Sequence, residues 1–285
     1  MKSIHFPTTK SPPAAGLPVD IADFLRNAGT ATCFHPTLEG AGLISLCAYL
    51  GATHQLEQRK SGLGRLMARA YADMAISPSF MLTRSAVPFC LSAEPKNGHY
   101  FLHVPSGANS STPVLLLLHG YGGNLLYFPW AVWKAIPECI LIAPSWQINW
   151  SEGSFARRLA YVKTALAHAA DKIGVCLQKP WLVPLSQGGP VAFELAAKSP
   201  KKFSGLLGIS TFSDSVGINL PDFPIRLLHG DADGRVPYKD VKETIRLIKR
   251  AGGDAKINVV PSADHYLLLS HSKHLEKFLG ENITA

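Results

Sequence analysis

The sequence predicts an α/β fold with a mostly parallel central sheet covered by helices on both faces. Three observations carry this. Short apolar runs alternate with helix-length segments; the runs are continuously apolar, as in strands buried on both faces; and distinctive turns follow several of them. Strands are expected near 98–103, 114–118, 139–143, 181–185, 204–209, 225–229 and 256–260. Helices are expected near 124–135, 155–172, 188–198, 238–251 and 266–280. In the last of these, Leu268, Leu275, Phe278 and Leu279 recur at helical spacing and read as core packing. In such sheets ligands bind at the carboxyl ends of the strands.

The segment Leu182-Val183-Pro184-Leu185-Ser186-Gln187-Gly188-Gly189 sets one serine between an apolar run and a helix opening on two glycines. It reads as a strand–turn–helix elbow, which pushes a serine oxygen into a cleft and needs small residues beside it. The usual pattern is G-x-S-x-G, and here Pro184 replaces the first glycine. Proline cannot donate to a neighbouring strand, so the strand is expected to end by Leu185. Upstream, the run 114–118 leads into His119-Gly120-Tyr121-Gly122-Gly123-Asn124, a glycine-rich turn able to aim a backbone N–H at developing negative charge. Tyr121 N–H is the candidate donor there, and Gln187 N–H is the second. Downstream, the run 225–228 leads into His229-Gly230-Asp231-Ala232-Asp233-Gly234-Arg235-Val236-Pro237, and 257–260 leads into Pro261-Ser262-Ala263-Asp264-His265.

Together these segments over residues 86–285 resemble the α/β-hydrolase superfamily, closest in flavour to its phospholipase/carboxylesterase-like group. The order Ser, Asp, His along the chain is the one found in that superfamily. The resemblance implies a serine hydrolase with Ser186 as nucleophile, His265 as general base and Asp233 as orienting acid. Position ahead of the Val236-Pro237 pair favours Asp233 over Asp231, which sequence order alone does not separate. The expected substrate is a small-molecule ester, ahead of a thioester or a peptide. The fold also includes non-catalytic ligand-binding proteins, the expectation should Pro184 distort the elbow. His119 and His229, each before a glycine at a strand end, are expected to make structural hydrogen bonds.

Substrate choice falls to the loops. Trp130 and Trp133, three apart on an expected helix, read as core, whereas Trp146 and Trp150 are candidates for lining an apolar substrate pocket. The first 85 residues carry no catalytic motif; 21–27, 38–58 and 64–75 look helical. They are expected to form a helical N-terminal extension that packs on the sheet edge, caps the cleft or mediates homo-oligomerisation.

At 285 residues and 47% hydrophobic content the chain can bury a large core. No apolar stretch reaches membrane-span length, and residues 1–16 lack the apolar core of a signal peptide, so a cytoplasmic protein without integral membrane association is expected. Cys33, Cys47, Cys90, Cys139 and Cys176 are widely spaced, with no metal-ligand pattern, and no metal or other cofactor is expected. The formal charge of +8 is scattered, which argues against nucleic acid as a partner.

Overall fold

The computed structural model describes residues 1–8, 37, 39–45, 62–90, 97–147, 150, 153–213 and 220–283. Eight strands form one sheet: β1 (Lys2–Phe6), β2 (Gly98–His103), β3 (Val114–Leu118), β4 (Ile140–Ser145), β5 (Trp181–Pro184), β6 (Gly205–Ile209), β7 (Ile225–Gly230) and β8 (Ala255–Val260). Their spatial order is β1-β2-β4-β3-β5-β6-β7-β8. β2 runs antiparallel to both β1 and β4, and every other neighbouring pair is parallel. The helices are α1 (Leu63–Ile76), α2 (Val87–Cys90), α3 (Tyr127–Ala135), α4 (Phe155–Ile173), α5 (Gly188–Lys198), α6 (Tyr238–Arg250), α7 (Leu267–Ser270) and α8 (Ser272–Ile283).

Continuous apolar strands are explained by two cores, one on each face. On β3, Leu115 and Leu117 join one cluster with residues of α1, α3 and α8, while Leu116 and Leu118 join a second with residues of α4, α5 and α6. Successive side chains of a strand point to opposite faces, so a strand covered on both sides must be apolar throughout. α4 starts where the Ser154 hydroxyl accepts the Arg157 N–H and stops at Gly174, which adopts φ 75°.

Besides the short helix α2, which no expected element covers, two further elements differ from the expectations. Lys2–Phe6 forms the edge strand β1, paired with β2 in the register Phe6↔Gly98. Five residues of which only Phe6 is buried carry little local signal, and the partner strand lies 98 positions further along the chain at Ser3↔Phe101. The C-terminal helix expected over 266–280 is split at His271 into α7 and α8. In the N-terminal region, the expected helix 21–27 and residues 38 and 46–58 of the expected helix 38–58 lie outside the described residues. Residues 39–45 are helical, and α1 packs against α3 and α7. Among the described residues, no helix is long and apolar enough to cross a membrane.

Candidate active site

Ser186 follows β5 after one intervening residue, Leu185, and adopts φ 47°, a conformation strained for a non-glycine residue. The turn closes because the helix behind it starts without side chains. A Cβ on Gly188 would stand 2.3 Å from the Leu118 carbonyl oxygen, and one on Gly189 would stand 1.9 Å from Thr211 Oγ1. The Thr211 hydroxyl donates to the Ser186 carbonyl oxygen, fastening the turn to the chain after β6. Pro184 does not break this geometry. Beyond it, Leu185 N–H donates to Leu118 O at 2.9 Å and Ser186 N–H to Ile209 O at 3.1 Å, so the elbow stays tied to both neighbouring strands.

The acid loop after β7 holds Asp233 with its side chain sealed from solvent. Its Oδ1 accepts the N–H groups of Arg235 and Val236, both at 2.9 Å. Its Oδ2 lies 2.8 Å from His265 Nδ1, and His265 Nε2 lies 3.0 Å from Ser186 Oγ. A carboxylate only accepts, so Nδ1 carries the proton and Nε2 offers its lone pair to the serine hydroxyl. Burial opposes the charge on Asp233, but His265 and the two backbone donors outweigh it and hold the carboxyl below its ordinary range. Asp231 is exposed and occupied elsewhere, accepting the Ser262 N–H at 2.6 Å.

The glycine turn after β3 lies against the serine: a Cβ on Gly120 would be 3.2 Å from Ser186 Cβ. Among the described residues, neither Tyr121 N–H nor Gln187 N–H donates to a protein acceptor. The turn is fixed by His119, whose Nδ1–H donates to Gly120 O at 2.8 Å while Nε2 accepts Trp146 N–H at 3.1 Å. His229 Nε2–H donates to Val236 O at 2.9 Å, bracing the loop that supplies the donors to Asp233. Nothing local marks Thr211, since one threonine after a strand has no motif; only the fold brings it under the elbow.

The aromatic pair expected to line a pocket is corrected by burial. Trp146 and Trp150 are both 0% exposed, stacked at 5.5 Å, with Trp146 edge-on to Tyr161 in the core beneath α4. Trp130 is buried, and it and Trp133 pack against Phe80. Among the described residues there is no group of three or more His, Cys, Asp or Glu side chains suited to a metal ion.

Buried histidines give the molecule an acid weakness. Burial lowers the pKa of His99 to about 3 and of His119 to about 4. In the unfolded chain both would titrate near 6.5. The unfolded state therefore takes up protons first as pH falls, and stability present above pH ~6.5 is lost below it. Each group contributes about 1.4 kcal/mol per pH unit in that window, or about 2 kcal/mol apiece at pH 5. These two groups contribute a loss of about 4 kcal/mol between pH 7 and pH 5, and urea unfolding is expected to show lower stability at pH 5; higher stability at pH 5 would contradict the burial of neutral imidazoles.

No protein-family model matches the chain, and no curated protein matches it in sequence. Solved structures do match. A thermostable esterase is similar at 19% identity and a TM-score of 0.51, over 67% of this chain and 58% of that one. An uncharacterised, putative alpha/beta hydrolase from Agrobacterium tumefaciens matches at 18% identity and a TM-score of 0.51, over 66% of this chain and 94% of that one. A carboxylesterase from Bacillus cereus matches at 17% identity and a TM-score of 0.50, over 64% of this chain and 94% of that one. The chain thus spans little more than half the length of the thermostable esterase. With the eight-stranded sheet and its connections, these likenesses define the class: the chain has the α/β-hydrolase fold.

Proposed function

We propose that the chain is a serine hydrolase, a carboxylesterase that cleaves small-molecule esters through an acyl-enzyme on Ser186. The observation that carries this reading is the continuous hydrogen-bonded line Asp233–His265–Ser186, with spacings of 2.8 and 3.0 Å, ending at a serine held at φ 47°. His265 Nε2 takes the hydroxyl proton as Ser186 Oγ bonds to the ester carbonyl carbon. The oxyanion that forms is received by Tyr121 N–H and Gln187 N–H. Collapse breaks the bond to the alcohol oxygen, which leaves with the proton from His265. Water, deprotonated by the same imidazole, then attacks the acyl carbon and releases the acid and free Ser186. Asp233 keeps the proton of His265 on Nδ1 and stabilises the imidazolium.

The esterase and carboxylesterase names of two structural neighbours support an ester ahead of an amide. The free thiols of Cys90, Cys139 and Cys176 support a reducing, cytoplasmic setting. A panel of p-nitrophenyl esters of increasing acyl length, a thioester and an aminoacyl anilide tests the substrate class. Turnover of the esters at kcat/KM at least ~100-fold above the anilide is expected. Preference for the anilide would make the protein a peptidase, and preference for the thioester a thioesterase.

A further inference from the structure

The loop that would receive the oxyanion is braced at its start by His119, and its far end is held from outside. Gly122 and Gly123 both adopt positive φ, at 98° and 95°, so two adjacent residues lack the restraint of a side chain. Its far end is gripped by residues that precede β2. The buried carboxylate of Glu39 accepts the Leu126 N–H at 2.6 Å, at the N-terminus of α3, on the same Oε1 that accepts the Tyr71 hydroxyl. Glu39 Oε2 accepts the Ser85 hydroxyl, which also receives the Val87 N–H at 3.1 Å. Beside it, the Asn124 N–H points at Cys90 Sγ at 3.5 Å, and a Cβ on Gly123 would stand 2.9 Å from Cys90 Cβ. Asn124 Nδ2 donates to Ala143 O at 2.7 Å and Ser145 Oγ at 3.1 Å.

A carboxylate is costly to bury unless it is well hydrogen-bonded, and this one is fed by three donors from three parts of the chain. Burial raises the pKa of the Glu39 carboxyl, and the hydrogen bonds from Ser85, Tyr71 and Leu126 work against that rise. The hydrogen bond to Leu126 fixes where the loop rejoins regular structure, five residues after Tyr121. We propose that Glu39 is a positioning residue for the oxyanion loop, so that the segment before β2 sets the catalytic geometry rather than serving only as a cover for the sheet. This rests on the reading of Ser186 as nucleophile and Tyr121 N–H as an oxyanion donor.

The test pairs hydrogen exchange with kinetics in the full chain, comparing wild type, Glu39→Ala and Glu39→Gln. An amide can present its oxygen to Leu126 and Tyr71 and its NH2 to Ser85, so Glu39→Gln should preserve the clamp. In Glu39→Ala, amide exchange over 119–127 should accelerate at least ~10-fold while α4 stays protected. Its kcat should fall ~10- to 100-fold with KM within about threefold, short of the ~100- to 1000-fold typical of deleting an oxyanion donor. Glu39→Gln should recover most of both. Unchanged exchange over 119–127 in folded Glu39→Ala overturns the proposal, whatever the activity; faster exchange with unchanged kcat also overturns it. A wild-type protein without Ser186-dependent turnover defeats the hydrolase reading instead, and the exchange data still decide whether Glu39 holds the loop. Should Glu39→Ala not fold, Ser85→Ala is measured in its place, where the same direction of change supports the clamp and no change overturns it.

Discussion

Ser186→Ala is expected to lower kcat for an ester substrate by roughly 10⁵- to 10⁶-fold, because without the hydroxyl no acyl-enzyme forms and only binding and oxyanion stabilisation remain. Among the described residues the hydroxyl hydrogen-bonds to His265 Nε2 alone, so little of the fold depends on it. Alanine meets the same strained φ of 47° as serine, and stability should stay within about 1 kcal/mol of wild type. Stopped-assay kinetics with thermal unfolding separates the two effects. A variant that keeps even a tenth of wild-type turnover would remove Ser186 from the chemistry.

Asp233→Asn should cost about 10⁴-fold in kcat for a different reason. Arg235 and Val236 both donate backbone N–H groups to Oδ1, so the asparagine oxygen is held there and its NH2 group turns toward His265 Nδ1. A donor facing Nδ1 demands a lone pair on that nitrogen. The imidazole proton then moves to Nε2, where it faces Ser186 Oγ and the ring can no longer take the serine proton. The loss should appear in kcat with KM changed little, since the substitution leaves the cleft lining intact. NMR of the imidazole nitrogens checks the cause directly: the wild type should carry its proton on Nδ1 and the variant on Nε2. A variant with normal turnover would show that Asp233 does not set the tautomer.

Much of this architecture is legible in the sequence because it depends on local patterns. The run 114–118 is apolar at each position because both of its faces are covered, and it forms β3 over the same residues. The run 225–229 and the alternation around it likewise correspond to β7 within one residue. The Gly188-Gly189 pair marks the close approach of α5 to β3 and to the chain after β6, which leaves no room for a side chain.

What was illegible depends on contacts distant in the chain. β1 is a strand only because β2 offers it a partner, and its sequence Lys2–Phe6 holds a single buried apolar residue. Trp146 and Trp150 follow a strand at the ligand-binding edge, and position suggested a pocket wall. Tyr161 of α4 supplies the edge-on contact that puts Trp146 in the core instead, a contact that spacing along the chain cannot reveal. Glu39 illustrates the limit most clearly. A lone glutamate in a helical segment reads as solvent-facing, and its three donors stand 32, 46 and 87 positions away.

The most direct test is to treat the wild-type protein, Ser186→Ala and His265→Ala with a fluorophosphonate probe and to locate the adduct by mass spectrometry. Activated serines react with such probes, and ordinary hydroxyls do not, so the experiment reads the nucleophile without assuming a substrate. A single adduct on Ser186 in the wild type, absent from Ser186→Ala and strongly reduced in His265→Ala, is the expected result. Folded wild-type protein that stays unlabelled, or is labelled on another residue, would contradict the assignment of Ser186 as nucleophile and leave an α/β-hydrolase fold used for binding.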